Sequence, residues 1–127
     1  MSEPLKIGIA GLGVVGSGVA KILIEQAELI AGRAGREINV TRVSARDPYK
    51  TRNFPIDGIE WVDDAREVAS ADDVDLVVEA IGGSEGIAKE LVEIALKNGK
   101  PVVTANKALL AEHGIALAEL ALSLIHI

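Results

Sequence analysis

A cluster of glycines directly after the first apolar segment is the feature that most constrains how this chain folds. Residues 5–10 are LKIGIA, a short apolar run typical of a buried strand, and glycines follow it at positions 11, 13 and 16. From Val14 the apolar residues recur at helical spacing, so the glycines connect a predicted strand to a predicted helix. Because glycine destabilises a helix interior, three of them here indicate a sharp turn or a close approach of the backbone.

Predicted strands and helices alternate along the rest of the chain. The predicted strands are residues 5–10, 38–44, 59–62, 74–80 and 101–104, and the predicted helices are about residues 14–30, 63–70, 85–98 and 107–120. Residues 32–36, GRAGR, are expected to end the first helix. This alternation predicts an α/β fold with a doubly wound, mostly parallel sheet, in which the carboxyl ends of the strands share one ligand-binding edge.

The glycine spacing, G-x-G-x-x-G between a strand and a helix, fits a dinucleotide-binding turn. In such a turn Gly11 makes the bend, Gly13 lets the backbone approach a pyrophosphate, and Gly16 lets the helix pack on the strand. We therefore predict a Rossmann-type NAD(P)-binding fold. A purely structural turn stays open as the alternative, whereas a P-loop is excluded because no Gly-Lys-Ser/Thr follows. The predicted phosphate-binding residues are Gly11, Leu12, Gly13, Val14, Val15 and Gly16.

The segment after the second predicted strand bears on the choice between NADP and NAD. It begins SARD, so Arg46 precedes Asp47, and Asp47 lies in a predicted Asp-Pro turn. An acid at this place takes the ribose hydroxyls of NAD, whereas an arginine accommodates the extra phosphate of NADP. We predict that Arg46 binds that phosphate and that NADP is preferred, with NAD still open. The alternative for Arg46 is a solvated surface side chain.

Two later strand ends carry the remaining candidate residues. Residues 77–83 are VVEAIGG, whose glycines could let the backbone pass close to the nicotinamide ribose, although a plain Gly-Gly loop explains them equally well. In residues 104–107, TANK, the lysine could orient an alcohol or carbonyl or transfer a proton, and a helix start otherwise disfavours a cation. The predicted cofactor contacts are Ile81, Gly82, Gly83, Thr104, Ala105, Asn106 and Lys107, and Lys107 is also the predicted catalytic residue.

Composition excludes several other classes of function. The 127 residues are 49% hydrophobic and 25% charged, which predicts one soluble domain, and no uncharged run is long enough to span a membrane. A net charge of -6 and only three aromatic residues argue against nucleic-acid binding. The absence of cysteine excludes a disulfide and fits the cytoplasm. His113 and His126 have no partners at metal-ligand spacing, so no metal site is predicted.

Four segments taken together resemble the nucleotide-binding domain of homoserine dehydrogenases. They are GIAGLGVVGSGV, VSARD, VVEAIGG and PVVTANKALLAEHG, in this order, and TANKALLAEHG is the most specific of them. The resemblance implies an oxidoreductase that interconverts L-homoserine and L-aspartate 4-semialdehyde with NAD(P), in the biosynthesis of threonine and methionine. It also implies that residues 11–16 hold the pyrophosphate, that Arg46 is associated with the NADP phosphate, and that Lys107 lies by the nicotinamide and the substrate.

The resemblance covers roughly residues 4–121, and residues 122–127 do not look like a continuation of it. Family members continue into a substrate-binding, dimerising domain with a second important lysine, so we expect residues 1–121 to bind cofactor without turnover. We interpret residues 122–127 as an atypical tail, from a truncation or an artificial junction. An amino-acid-like substrate is implied only for a full-length enzyme, and homo-oligomer formation stays open. The cofactor domain of L-aspartate dehydrogenase and a non-catalytic nucleotide-sensing module are the alternatives.

Overall fold

The computed structural model describes residues 3–45, 58–81, 86–104 and 106–123, and the sequence there forms strands and helices in the predicted alternation. The strands are β1 Leu5–Ala10, β2 Ile38–Ser44, β3 Glu60–Val62, β4 Leu76–Glu79 and β5 Val102–Thr104. The helices are α1 Val14–Glu25, α2 Ala27–Ala34, α3 Arg66–Ser70, α4 Ile87–Lys97 and α5 Lys107–Ser123.

The sheet is parallel throughout, with strand order β3-β2-β1-β4-β5. The chain proceeds outward from β1 to β3, then returns to the other side of β1 for β4 and β5, so the order reverses between β1 and β4. Such a reversal opens a crevice at the carboxyl ends of the two strands. The prediction of a doubly wound α/β fold is confirmed. The last paired residues of the five strands form one row across the sheet: Val62, Ser44, Ala10, Glu79 and Thr104.

Helices cover both faces of the sheet, each over its own apolar core. Successive residues of β1 point to opposite faces, as the pleat requires: Ile9 packs with α1, and Ala10 packs with α4 and α5. Gly8 lies under α3. A Cβ added to it would lie 2.6 Å from Val68 Cγ1, so the absence of a side chain lets α3 approach the sheet. The core on the α1 face is formed by Ile7, Ile9, Leu12, Ala20, Val43 and Val78.

The first predicted helix is divided into two. At Gln26 the backbone leaves helical geometry, with φ -103° and ψ 21°, although its amide still donates to the Ile22 carbonyl at 2.9 Å. The second part, α2, contains no fully buried residue, whereas α1 buries Gly16 and Ala20, so α2 packs less tightly on the sheet than α1 does. It ends at Gly35, whose φ of 78° is the left-handed conformation common after a helix. This agrees with the predicted end in residues 32–36, although Gly32 itself is helical.

The last helix extends further than predicted. α5 passes through Gly114 without interruption and reaches Ser123, so Leu122 and Ser123, which we assigned to an atypical tail, are helical. The remaining strand and helix boundaries agree with the predicted ones to within three residues. Across the part of the chain that the structure describes, none of the helices combines the length and the apolarity needed to traverse a lipid bilayer.

Candidate cofactor-binding site

The turn after β1 depends on glycine at its first position. Gly11 has a φ of 95°, which side chains rarely adopt, and an added Cβ would lie 2.8 Å from both the carbonyl carbon and oxygen of Ala80. Its amide donates to the Ser44 carbonyl at 3.0 Å. The turn is therefore fixed between the carboxyl ends of β2 and β4, at the point where the strand order reverses.

Helix α1 begins directly over this turn because residue 16 has no side chain. A Cβ on Gly16 would lie 1.7 Å from the carbonyl oxygen of Gly11, which no L residue could accommodate without a backbone shift. Ser17 closes the same turn: its hydroxyl donates to the Leu12 carbonyl at 2.8 Å and its amide to the Gly13 carbonyl at 2.9 Å. Sequence reasoning missed Ser17, because a serine within a helix pattern carries no distinctive signal.

The start of α1 is open to an approaching ligand. Its N-cap is Gly13, where an added Cβ would meet no atom within 4 Å, and which has no side chain to accept hydrogen bonds from the first helical amides. Val14 is 94% exposed and Val15 51% exposed. Unsatisfied amides and the positive end of the helix dipole attract anions at such a position. The residues present therefore fit the pyrophosphate of a dinucleotide.

A buried acid joins the ends of β4 and β5. Glu79 is fully buried, yet the carboxyl group has hydrogen-bonding partners on both oxygens. Oε2 accepts from the Ile81 amide at 2.8 Å, and Oε1 accepts from the Thr104 hydroxyl at 2.5 Å. The sequence identified an acid at the end of a buried strand but predicted no role for it.

The hydrogen bonds continue from Thr104 into the start of α5. Thr104 Oγ1 accepts from the Asn106 amide at 3.0 Å, and Asn106 Oδ1 accepts from the Leu109 amide at 3.0 Å, as an N-cap does. Asn106 is buried, whereas Lys107, the first residue of α5, is exposed. The polar atoms of Thr104 and Asn106 thus bind groups of the protein itself, in addition to any contact with a cofactor.

The structure places the described candidate residues along one edge of the sheet. Ala10, Glu79 and Thr104 are paired neighbours on adjacent strands, so the ends of β1 and β5 are about 10 Å apart at the usual strand spacing. The candidates that lie at this edge are Gly11, Leu12, Gly13, Val14, Val15, Gly16, Ile81, Thr104, Asn106 and Lys107. Four other predicted site residues, Arg46, Gly82, Gly83 and Ala105, lie outside the described residues.

Comparison with known proteins gives the family of a chain with this site. The family model of the NAD-binding domain of homoserine dehydrogenase matches residues 11–124. This chain belongs to that family. The match includes the glycine turn, both later strand ends and all of α5, which confirms the predicted resemblance.

Curated relatives from two bacteria are named homoserine dehydrogenase. The protein of Neisseria gonorrhoeae is 45% identical over 119 residues, which are 94% of this chain and 27% of that protein. The protein of Pseudomonas aeruginosa is 49% identical over 115 residues, which are 88% of this chain and 25% of that protein. The chain therefore spans about a quarter of the length of these curated relatives.

Solved homoserine dehydrogenase structures share the fold of this NAD-binding domain. A crystal structure of the S. aureus enzyme has a TM-score of 0.86 at 37% identity, covering 97% of this chain and 31% of that one. The structure from Thiobacillus denitrificans has a TM-score of 0.83 at 40% identity, covering 95% and 28%. The Rossmann-type prediction is confirmed, and the chain is related to a family of oxidoreductases.

Proposed function

We propose that this chain binds NADP, with NAD as a second cofactor, along the carboxyl edge of its sheet. We further propose that it serves an enzyme interconverting L-homoserine and L-aspartate 4-semialdehyde. The observation that carries the proposal is the turn at residues 11–16, which lies where the strand order reverses and presents an open helix start. Membership of the family and the names of the relatives support the choice of reaction.

The proposed contacts divide along the edge of the sheet. The turn at residues 11–16 holds the pyrophosphate through backbone amides, and residues 81–83 and 104–107 hold the nicotinamide half. When bound, the nicotinamide supplies hydride transfer. Lys107 is the proposed catalytic residue, which orients the oxygen of the substrate or moves its proton. Its exposure at the start of α5 supports a role toward a ligand outside this domain's own core.

The preference for NADP rests on Arg46. This residue is two positions after Ser44, whose carbonyl accepts the Gly11 amide at 3.0 Å, so the segment containing it starts beside the phosphate-binding turn. An arginine after the second strand fits a ribose 2′-phosphate. Because the chain covers about a quarter of its relatives, we propose that it binds cofactor but does not turn over substrate by itself.

Isothermal titration with NADPH and NADH tests the proposal. The chain should bind NADPH, and Gly13→Val should weaken binding by about tenfold or more, because the new side chain projects into open space before the helix amides. The same space lets the variant fold. Gly32→Val, at an equally open site in α2, is the matched control and should bind normally. Normal binding by Gly13→Val, or no binding by the original chain, would refute the proposal.

The same titration with Arg46→Ala tests whether this arginine distinguishes NADPH from NADH. The variant should lose affinity for NADPH by roughly tenfold or more, the effect of one charged hydrogen bond, and keep its affinity for NADH. Equal losses for both cofactors would remove the assignment of Arg46 to the 2′-phosphate while leaving dinucleotide binding intact.

A further inference from the structure

The fully buried Glu79 has no part in the phosphate-binding turn, and its position needs a separate explanation. It follows the buried residues Val77 and Val78 at the end of a central strand, where an apolar residue would be expected. Burying a carboxyl group is costly unless it is hydrogen-bonded. Glu79 meets that condition by binding the backbone of Ile81 and the side chain of Thr104, and both partners belong to segments of the candidate site.

These contacts connect the exit of β4 to the start of α5. The bond to the Ile81 amide fixes the chain two residues beyond the acid itself. The bond from Thr104 extends the connection to α5. The Thr104 oxygen also accepts a hydrogen bond from the Asn106 amide, and Asn106 caps the helix that begins at Lys107. Beyond the backbone pairing of the two strands, one carboxyl group therefore connects the segment after β4 to the start of α5.

We propose that Glu79 is a positioning residue for the nicotinamide half of the cofactor. It holds Ile81 and the start of α5 in place for that half without touching the ligand, since the side chain is fully buried. This inference rests on the proposed function, in which residues 81–83 and 104–107 contact the nicotinamide half. It adds a requirement for an acid at a position to which the cofactor has no access.

The direction of the hydrogen bonds explains why an amide would not serve. Both described partners donate toward Glu79, and each of its two carboxyl oxygens accepts one of these bonds. The Thr104 oxygen already accepts from Asn106, and its single proton goes to Glu79. A glutamine has one accepting oxygen and one donating nitrogen, so Glu79→Gln can keep only one of the two bonds.

The test compares NADPH with 2′-phospho-ADP, a ligand that lacks both the nicotinamide and the ribose attached to it. Isothermal titration of the chain with the two ligands should show that Glu79→Gln weakens NADPH by about tenfold, as for one lost hydrogen bond that leaves a buried group unsatisfied. Binding of 2′-phospho-ADP should change by less than about twofold, because the contacts proposed for that ligand lie on the β1 and β2 side alone. Equal losses of affinity for both ligands would overturn the proposal, since a general loss of structure weakens both alike. Unchanged affinity for both ligands would overturn it as well.

Variants of Thr104 test the same connection in case the Glu79→Gln protein folds poorly. Thr104→Val should reproduce the selective loss of NADPH affinity, whereas Thr104→Ser, which keeps the hydroxyl, should bind NADPH as the original chain does. The double variant Glu79→Gln/Thr104→Val should lose no more NADPH affinity than the worse of the two single variants. Thr41→Val is the matched control, because the Thr41 hydroxyl of β2 likewise donates to a residue distant in sequence, the Asp73 carbonyl at 2.7 Å in the turn before β4. Additive losses would show that Glu79 and Thr104 act separately and would overturn the connection.

Hydrogen exchange measured by NMR separates this inference from the proposed function. In the chain without ligand, Glu79→Gln should accelerate exchange of the Ile81 amide or of the Asn106 amide, according to which of the two bonds is lost, and Thr104→Val should accelerate that of Asn106 alone. Unchanged exchange would refute the connection whether or not the cofactor binds. If exchange changes as expected but the original chain binds neither ligand, the proposed function fails, and the positioning role fails with it.

Discussion

The turn at residues 11–16 is built almost entirely from backbone, whereas the ends of β4 and β5 are joined by side chains. At the turn, the decisive facts are a left-handed Gly11 and a Gly16 that leaves no room for a Cβ. At the strand ends, they are the carboxyl group of Glu79 and the hydroxyl of Thr104. A backbone site depends on where side chains are missing, and a side-chain site depends on partners that are distant in sequence.

Gly16→Ala should have the largest effect on stability. The added Cβ would lie 1.7 Å from the Gly11 carbonyl oxygen, and a backbone atom cannot move aside as a side chain can. We expect a loss of about 3 kcal/mol or more in the free energy of unfolding, at the upper end for overpacking. Urea unfolding measures it. Gly18→Ala, in the same helix but with open space around the new Cβ, is the control and should be stable. An equally stable Gly16→Ala would mean that the turn tolerates a side chain.

The turn could be predicted from the sequence because its signal is local. Three glycines at fixed spacing between a strand and a helix require nothing from the rest of the chain. The strands were predictable for a similar reason, since buried parallel strands are short apolar runs. What the sequence did not indicate is the division of the first helix at Gln26, because the spacing of apolar residues continues through it.

Asn106→Ala should have a smaller effect, confined to the strand-end region. It removes the oxygen that accepts the Leu109 amide, and loss of an N-cap costs about 1 kcal/mol. Thermal unfolding should show that decrease, and Asn106→Asp should restore most of it because aspartate caps equally well. If Asn106→Ala is as stable as the original chain, α5 does not depend on this cap. The strand ends would then depend less on side chains than the comparison with the turn requires.

The strand-end region could be predicted only in part. The sequence indicated Thr104, Asn106 and Lys107 because Thr104 ends a predicted strand and the other two follow it, and the structure has all three at the carboxyl edge of the sheet. It did not indicate that Thr104 binds Glu79, since 25 residues separate them and only the parallel pairing of β4 with β5 brings them together. Side-chain networks between strands need the register, which local patterns do not contain.

An exposed ion pair outside both regions should give the smallest effect. Arg66 donates to both oxygens of Asp64, with Nη2 to Oδ2 at 3.0 Å, and these hydrogen bonds are the main reason that the pKa of Asp64 is lowered. A carboxyl pKa that is lower in the folded state stabilises the fold above the ordinary pKa of aspartate, and the benefit disappears as the pH falls through the lowered value. Arg66→Gln should therefore unfold at slightly lower urea than the original chain at pH 7, with a smaller shift than Asn106→Ala because exposed pairs contribute little. The difference should vanish in acid, when Asp64 is protonated, whereas the loss in Gly16→Ala should persist because it is steric. A difference for Arg66→Gln that is unchanged in acid would show that Arg66 acts through packing and not through its charge.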